Sequence, residues 1–176
     1  MKMIMKNKKK PSKVKNLAFD FSLVPYILLG IVLAIFINIV SPVNVYSVNG
    51  SSMEPNFHNG EKIMGHKLFY NNKIERYDVV IAVTKKYPFI VIKRVIAMPN
   101  ETIEIANDGK VYVDGEELSE AYEYTLEGIS FPGNFIYPIT LQDNEFFIMG
   151  DNVNNSFDSR YFGPIKKTQI IAVVDN

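Results

Sequence analysis

The sequence predicts a mostly β fold, an antiparallel-sheet domain preceded by one N-terminal apolar helix. Three observations lead there. After Ser41-Pro42 the apolar residues fall into short runs rich in Val, Ile and Phe, with no long segment of helical period. Those runs are punctuated by turn residues, among them two Asp-Gly pairs, Asp108-Gly109 and Asp114-Gly115. The one long unbroken apolar stretch, Phe21 to Val40, stands ahead of them all.

Residues 1–20 form a basic tail of seven lysines against the single Asp20, a local charge of +6. Phe21 to Val40 follows, with nothing more polar than Ser22 and Asn38. A helix of this length covers roughly 30 Å, the thickness of bilayer hydrocarbon, so the segment is expected to be a transmembrane anchor in contact with the lipid bilayer. Pro25 lies near its start, where a missing N–H costs least. Lysines ahead of the span predict a cytoplasmic N-terminus and an extracytoplasmic body over 41–176. A cleavable leader, the alternative, usually has an apolar stretch of only about 7 to 15 residues.

Within the body, Val43 to Val48 is expected as a strand running into Asn49-Gly50, and Val79 to Val83 and Phe89 to Met98 as two more. Ile103 to Ile105 and Val111 to Val113 flank Asn107-Asp108-Gly109 as a hairpin, and Asp114-Gly115 makes the next turn. Residues 116–145, acidic, aromatic and interrupted by Pro132, Gly133 and Pro138, are expected to be irregular. Glu145 to Met149 and Ile170 to Val174 return as buried strands.

Composition excludes several chemistries. The chain has no cysteine, so thiolate nucleophiles, disulfides and cysteine metal sites are absent. Residues 41–176 carry twelve Lys and Arg against eighteen Asp and Glu, an acidic balance that argues against nucleic acid. His58 and His66 stand in no ligand spacing, so no metal and no cofactor are expected.

Three segments offer chemistry. Gly50-Ser51-Ser52-Met53-Glu54-Pro55 places a serine in a constrained turn at a strand end. In Ile90-Val91-Ile92-Lys93-Arg94-Val95-Ile96, alternation puts Lys93 on the side of Val91 and Val95 and Arg94 on the side of Ile92 and Ile96. Both faces are apolar. Desolvation disfavours the ammonium and makes a lysine usable as a base, a role arginine cannot take. Gly150-Asp151-Asn152 with Ser156-Phe157-Asp158-Ser159-Arg160 is a polar loop whose Asp158 and Arg160 are suited to an ion pair. Each segment alone has an ordinary explanation as a turn, an edge strand or a surface loop.

In order, and behind an apolar anchor, the three segments resemble the bacterial type I signal peptidases, with their Ser-Met-x-Pro box, Lys-Arg box and late Gly-Asp-Asn…Ser-x-Asp-Ser-Arg box. The resemblance implies a Ser-Lys dyad serine endopeptidase that removes signal peptides from exported preproteins after small-x-small sites. It implies Ser52 as nucleophile, Lys93 as general base, Ser156 orienting Lys93, and Asp158 and Arg160 as a structural pair. Gly50 would lie on the oxyanion side of the turn, where some relatives have a serine. Asn56 stands where threonine is frequent, and Met98-Pro99-Asn100-Glu101 replaces the usual Leu-Pro-Gly-Asp. The alternatives are a specialised peptidase for a pilus or conjugation component, or a non-enzymatic assembly factor on the same fold. A self-cleaving repressor is the weakest, because an apolar span stands where its DNA-binding domain would be.

Overall fold

The computed structural model describes residues 21–68, 73–85, 89–106, 110–118 and 136–174. The basic tail, the Asn107-Asp108-Gly109 turn and most of the acidic excursion, 119–135, lie outside the described residues. The chain divides into two compact units, Met1–Ser41 and Pro42–Asn176.

In the first unit Phe21–Leu23 is a turn of 3-10 helix and Val24–Val40 is helix α1. Among the described residues no helix is long and apolar enough to cross a membrane. The expected helix over 21–40 is thus divided, and its α-helical part has 17 residues, about 26 Å of rise. The cause lies in Pro25, which has no amide proton to give the Phe21 carbonyl, so the first turn tightens. Large apolar side chains are exposed all around α1, from Tyr26 to Val40.

The second unit is built from eleven described strands. They are β1 (Val43–Ser47), β2 (Lys62–Lys67), β3 (Val79–Val83), β4 (Ile90–Ala97), β5 (Thr102–Ile105), β6 (Val111–Val113), β7 (Glu116–Glu117), β8 (Ile139–Thr140), β9 (Glu145–Met149), β10 (Ile165–Lys166) and β11 (Ile170–Val174). One sheet has the order β1-β2-β11-β3-β4-β9-β10 and the other β7-β6-β5-β8, and every pairing is antiparallel. The mostly β, antiparallel expectation holds.

β2, β7, β8 and β10 are strands that the apolar pattern did not reveal, and β7 and β8 lie within 116–145, which was expected to be irregular. β2 is Lys-Ile-Met-Gly-His-Lys, polar at both ends, and only Ile63 and Gly65 are buried. Its Gly65 is required by space: a Cβ there would stand 2.9 Å from the Tyr46 ring and 3.1 Å from Ala172. The expected hairpin of β5 and β6 is paired with Ile103 opposite Val113, and Asp114 and Gly115 take positive φ in the next turn.

β3 shows why the sheet lies where it does. Val79 to Ala82 are completely buried, and their alternation sends Val80 and Ala82 into one apolar cluster and Val79 and Ile81 into another. Val91 and Val95 of β4 join the first cluster. A third cluster fills the space between the small sheet and the Ile96, Phe147 and Met149 side of the large one. β4 therefore runs through the middle of the core, and it is the strand that bears Lys93.

Candidate active site

Lys93 lies on β4 opposite Val80 of β3. It is 3% exposed, and its neighbour Arg94, pointing the other way, is 4% exposed. Both cations are inside the protein, and they are handled differently. Arg94 forms a two-pronged ion pair with Asp151, Nε to Oδ1 at 2.8 Å and Nη2 to Oδ2 at 2.6 Å, and donates from Nη1 to the Tyr77 carbonyl at 2.9 Å. Among the described residues no carboxylate is in contact with Lys93. Its Nζ lies 2.9 Å from the Ile92 carbonyl and 2.7 Å from Ser52 Oγ. Burial holds its pKa down from 10.5 to about 8, against the field of Asp158 and Asp151 and with that of Arg160.

The serine is presented by a turn that the chain fixes from several sides. Beyond β1 the segment is closed at its base by Val48 N to the Glu61 carbonyl at 2.8 Å and Gly60 N to the Val48 carbonyl at 2.9 Å. Gly50 has φ +93°, a conformation side chains disfavour, and its N–H donates to Asn59 Oδ1 at 2.9 Å. Met53, 1% exposed, plugs the turn into the apolar cluster with Val48 and Ile81. With residue 53 pointing inward, Ser52 faces the cleft.

The polar loop 150–160 grips this turn. Asn152 donates from its backbone to the Ser52 carbonyl at 3.0 Å and from Nδ2 to the Ser51 carbonyl at 3.1 Å, and Asn155 Nδ2 donates to Ser51 Oγ at 2.8 Å. Asn56 Nδ2 donates to Asp151 Oδ2 at 2.8 Å, so Asp151 joins the turn, the loop and β4. Gly150 lies between the turn and the loop. A Cβ there would collide with the Ser52 carbonyl and with the Ser156 hydroxyl, and would stand 2.7 Å from Ser156 Cβ. Gly150→Ala is expected to cost about 1–3 kcal/mol, measurable by denaturant unfolding, because the Ser52 backbone must move to relieve it.

Asp158 and Arg160 form an ion pair completely out of water. Arg160 Nε meets Asp158 Oδ1 and Nη2 meets Oδ2, each at 2.7 Å, with neither side chain exposed. Asp158 also accepts from Gly150 N at 3.0 Å and caps the short helix α2 (Ser159–Phe162) through Arg160 N. Ser159 Oγ accepts from Ile148 N at 3.0 Å and ties that helix to β9. The Ser156 hydroxyl, expected on Lys93, is buried and makes no hydrogen bond to Lys93 or to any other group among the described residues. The structure thus brings Ser52 and Lys93 together and holds Asp158, Arg160 and Gly150 behind them. His58 is exposed, at the far end of the Ser52 turn.

Sequence reasoning missed Arg94, Asp151 and Asn56 as parts of the frame. The signal available was Arg94 in an apolar run; the partner 57 positions away was not visible.

A cleft of about 610 Å³ opens beside Ser52 and Lys93, between Val45–Asn49 on one side and Phe89–Ile92 on the other. Its walls are mainly apolar, including Met53, Ile81 and Phe157. Such a site, a hydroxyl beside a desolvated amine at the end of an apolar groove, can carry out acyl transfer on an extended chain.

Residues 20–176 match the family model described as "Signal peptidase, peptidase S26". The chain is 33% identical over 141 residues to signal peptidase I V of Bacillus subtilis, covering 74% of this chain and 83% of that one. It is 37% identical over 134 residues to a signal peptidase I of Bacillus amyloliquefaciens, covering 72% of this chain and 68% of that one. A crystal structure of a signal peptidase I from Enterococcus faecalis aligns with a TM-score of 0.47 and 29% identity over 59% of this chain and 98% of that one. With the family model matching nearly the whole chain and curated relatives above 30% identity along most of their length, this chain belongs to the signal peptidase family, peptidase S26.

Proposed function

We propose that the chain is a membrane-anchored serine endopeptidase that removes signal peptides from exported preproteins by a Ser52-Lys93 dyad. The observation that carries this reading is the 2.7 Å approach of Lys93 Nζ to Ser52 Oγ at a lysine whose ammonium is destabilised by burial. Neutral Lys93 takes the Ser52 proton as Oγ attacks the scissile carbonyl. The resulting ammonium gives its proton to the departing amine as the C–N bond breaks, leaving the acyl group on Ser52. Lys93 then deprotonates the water that attacks the ester, and Ser52 departs with the proton.

A neutral lysine has one lone pair and two N–H groups. The lone pair faces Ser52 and one N–H faces the Ile92 carbonyl; a contact of the second with Ser156, which this structure does not show, would need that buried hydroxyl to turn toward Lys93. The oxyanion would be met by the Ser52 N–H, while the Gly50 N–H is held by Asn59. The substrate is expected to lie in the cleft as an added strand. Support comes from β4: its register with β9 includes only Arg94, Val95 and Ala97, so among described strands Ile90 to Lys93 pair only with β3.

The anchor is proposed from the first unit. The 3-10 turn adds about 2 Å per residue to α1, bringing the apolar rod to roughly 32 Å. The lysines before it would hold the N-terminus in the cytoplasm and place the catalytic unit outside.

The test is cleavage of a purified preprotein with an Ala-x-Ala site, in detergent, with the product's N-terminus sequenced. The expected result is a single cut after the site, with kcat/KM rising with pH and levelling above an apparent pKa near 8 as Lys93 becomes neutral. A flat profile from pH 6 to 10 contradicts Lys93 as the base, and no cleavage contradicts the peptidase reading.

A further inference from the structure

Phe157 interrupts an otherwise polar loop, standing between Ser156 and Asp158, and it does not go inside. The residue is 39% exposed, and its ring lies 5.9 Å from that of Phe89, a residue 43% exposed. Both rings line the cleft that contains Ser52 and Lys93. Tyr161 of α2 backs Phe157 at 5.1 Å between centroids, so the wall is supported from behind by the helix that Asp158 caps. Two large rings paired at the mouth of a working groove, left partly in water, form a surface that gains by being covered.

We propose that Phe89 and Phe157 form an apolar subsite that accepts a large aliphatic or aromatic side chain of the substrate, four or five residues from the scissile bond. This rests on the peptidase reading above. The occupant is the substrate itself because the rings are continuous with the dyad in one cleft. The position follows from strand geometry. Phe89 precedes Lys93 by four residues, and an extended backbone advances about 3.3 Å per residue, so the rings stand about 13 Å along β4 from the dyad. An extended chain laid beside β4 with its scissile bond at Ser52 reaches them with its fourth or fifth residue.

The experiment is cleavage of a peptide series with one Ala-x-Ala site, in which the fourth and fifth residues on each side of the cut are in turn Leu, Phe, Ser and Asp. The expected result for the full-length protein is that kcat/KM for Leu and Phe exceeds that for Ser and Asp by about tenfold or more, carried mainly by KM. In Phe157→Ala that ratio should fall toward unity, and Phe157→Leu should restore part of it. The ratio is internal to each protein, so a loss of overall activity does not obscure it.

Equal cleavage of the whole series by the wild type overturns the subsite while leaving the peptidase reading in place. A preference that survives Phe157→Ala also overturns it. So does a Phe157→Ala protein with unchanged peptide preference but weakened binding to vesicles of phosphatidylglycerol and phosphatidylethanolamine, which would make the rings a lipid contact. No cleavage of any member overturns the peptidase reading itself.

Discussion

Lys93→Met should be inactive and more stable than the wild type. Loss of the base is expected to cut precursor cleavage at least about a thousandfold. The gain in stability comes from the same burial that favours the neutral amine. In the unfolded chain the ammonium is hydrated and titrates near 10.5; in the fold it titrates near 8. Between those values the unfolded state binds more protons than the folded one, so stability rises with pH across that interval. Below about pH 8 the charged lysine is buried at full cost, which two and a half pH units put at about 3 kcal/mol. Methionine has nearly the same shape and no charge, so at pH 7 the variant should unfold at higher denaturant by about 1–3 kcal/mol. The difference should shrink as pH is raised from 8 toward 10.5. A variant no more stable than the wild type at pH 7 would mean that Lys93 is not under this strain.

Asp158→Ala should have the largest effect on folding. It leaves the Arg160 guanidinium, which has no exposed side-chain surface, without its carboxylate, and it removes the acceptor of Gly150 N and the cap of α2. Removing one partner of a buried pair costs about 3–5 kcal/mol, a large part of the roughly 5–15 kcal/mol that holds a domain together. Replacing both, as Asp158→Ala with Arg160→Met, should recover much of the loss, because no unpaired charge is left inside. Unfolding by urea measures both. Equal losses in the single and double variants would assign the effect to the cap and the Gly150 contact instead of the charge.

How far these features were legible in the sequence depends on the distance over which each is decided. The β character was visible because alternation and Asp-Gly turns act within a few residues. The apolar run around Lys93 and Arg94 pointed to a desolvated cation, and the ordered boxes, through the family resemblance, singled out Lys93 and linked it to Ser52, 41 positions earlier. Asp158 and Arg160 were legible as a pair because they are two residues apart. Arg94 and Asp151 were not, although their ion pair is as buried as many core residues, because pairing across 57 positions leaves no local pattern. β2 escaped because a half-exposed strand with lysines at its ends has too few apolar positions to show a period. The helix over 21–40 was expected whole, and Pro25 decided otherwise for its first turn. Ser156 was expected on Lys93, and whether its hydroxyl turns there depends on angstrom-scale packing beside Gly150 that residue types do not encode.

The central claim is that Ser52 is a nucleophile activated by Lys93. It is tested most directly by trapping the acyl-enzyme with a serine-directed acylating probe and locating the adduct by peptide mapping. The account predicts one adduct, on Ser52, forming faster as pH rises through about 8 and absent from both Ser52→Ala and Lys93→Met. An adduct on another residue, or one on Ser52 that forms equally fast in Lys93→Met, would contradict it.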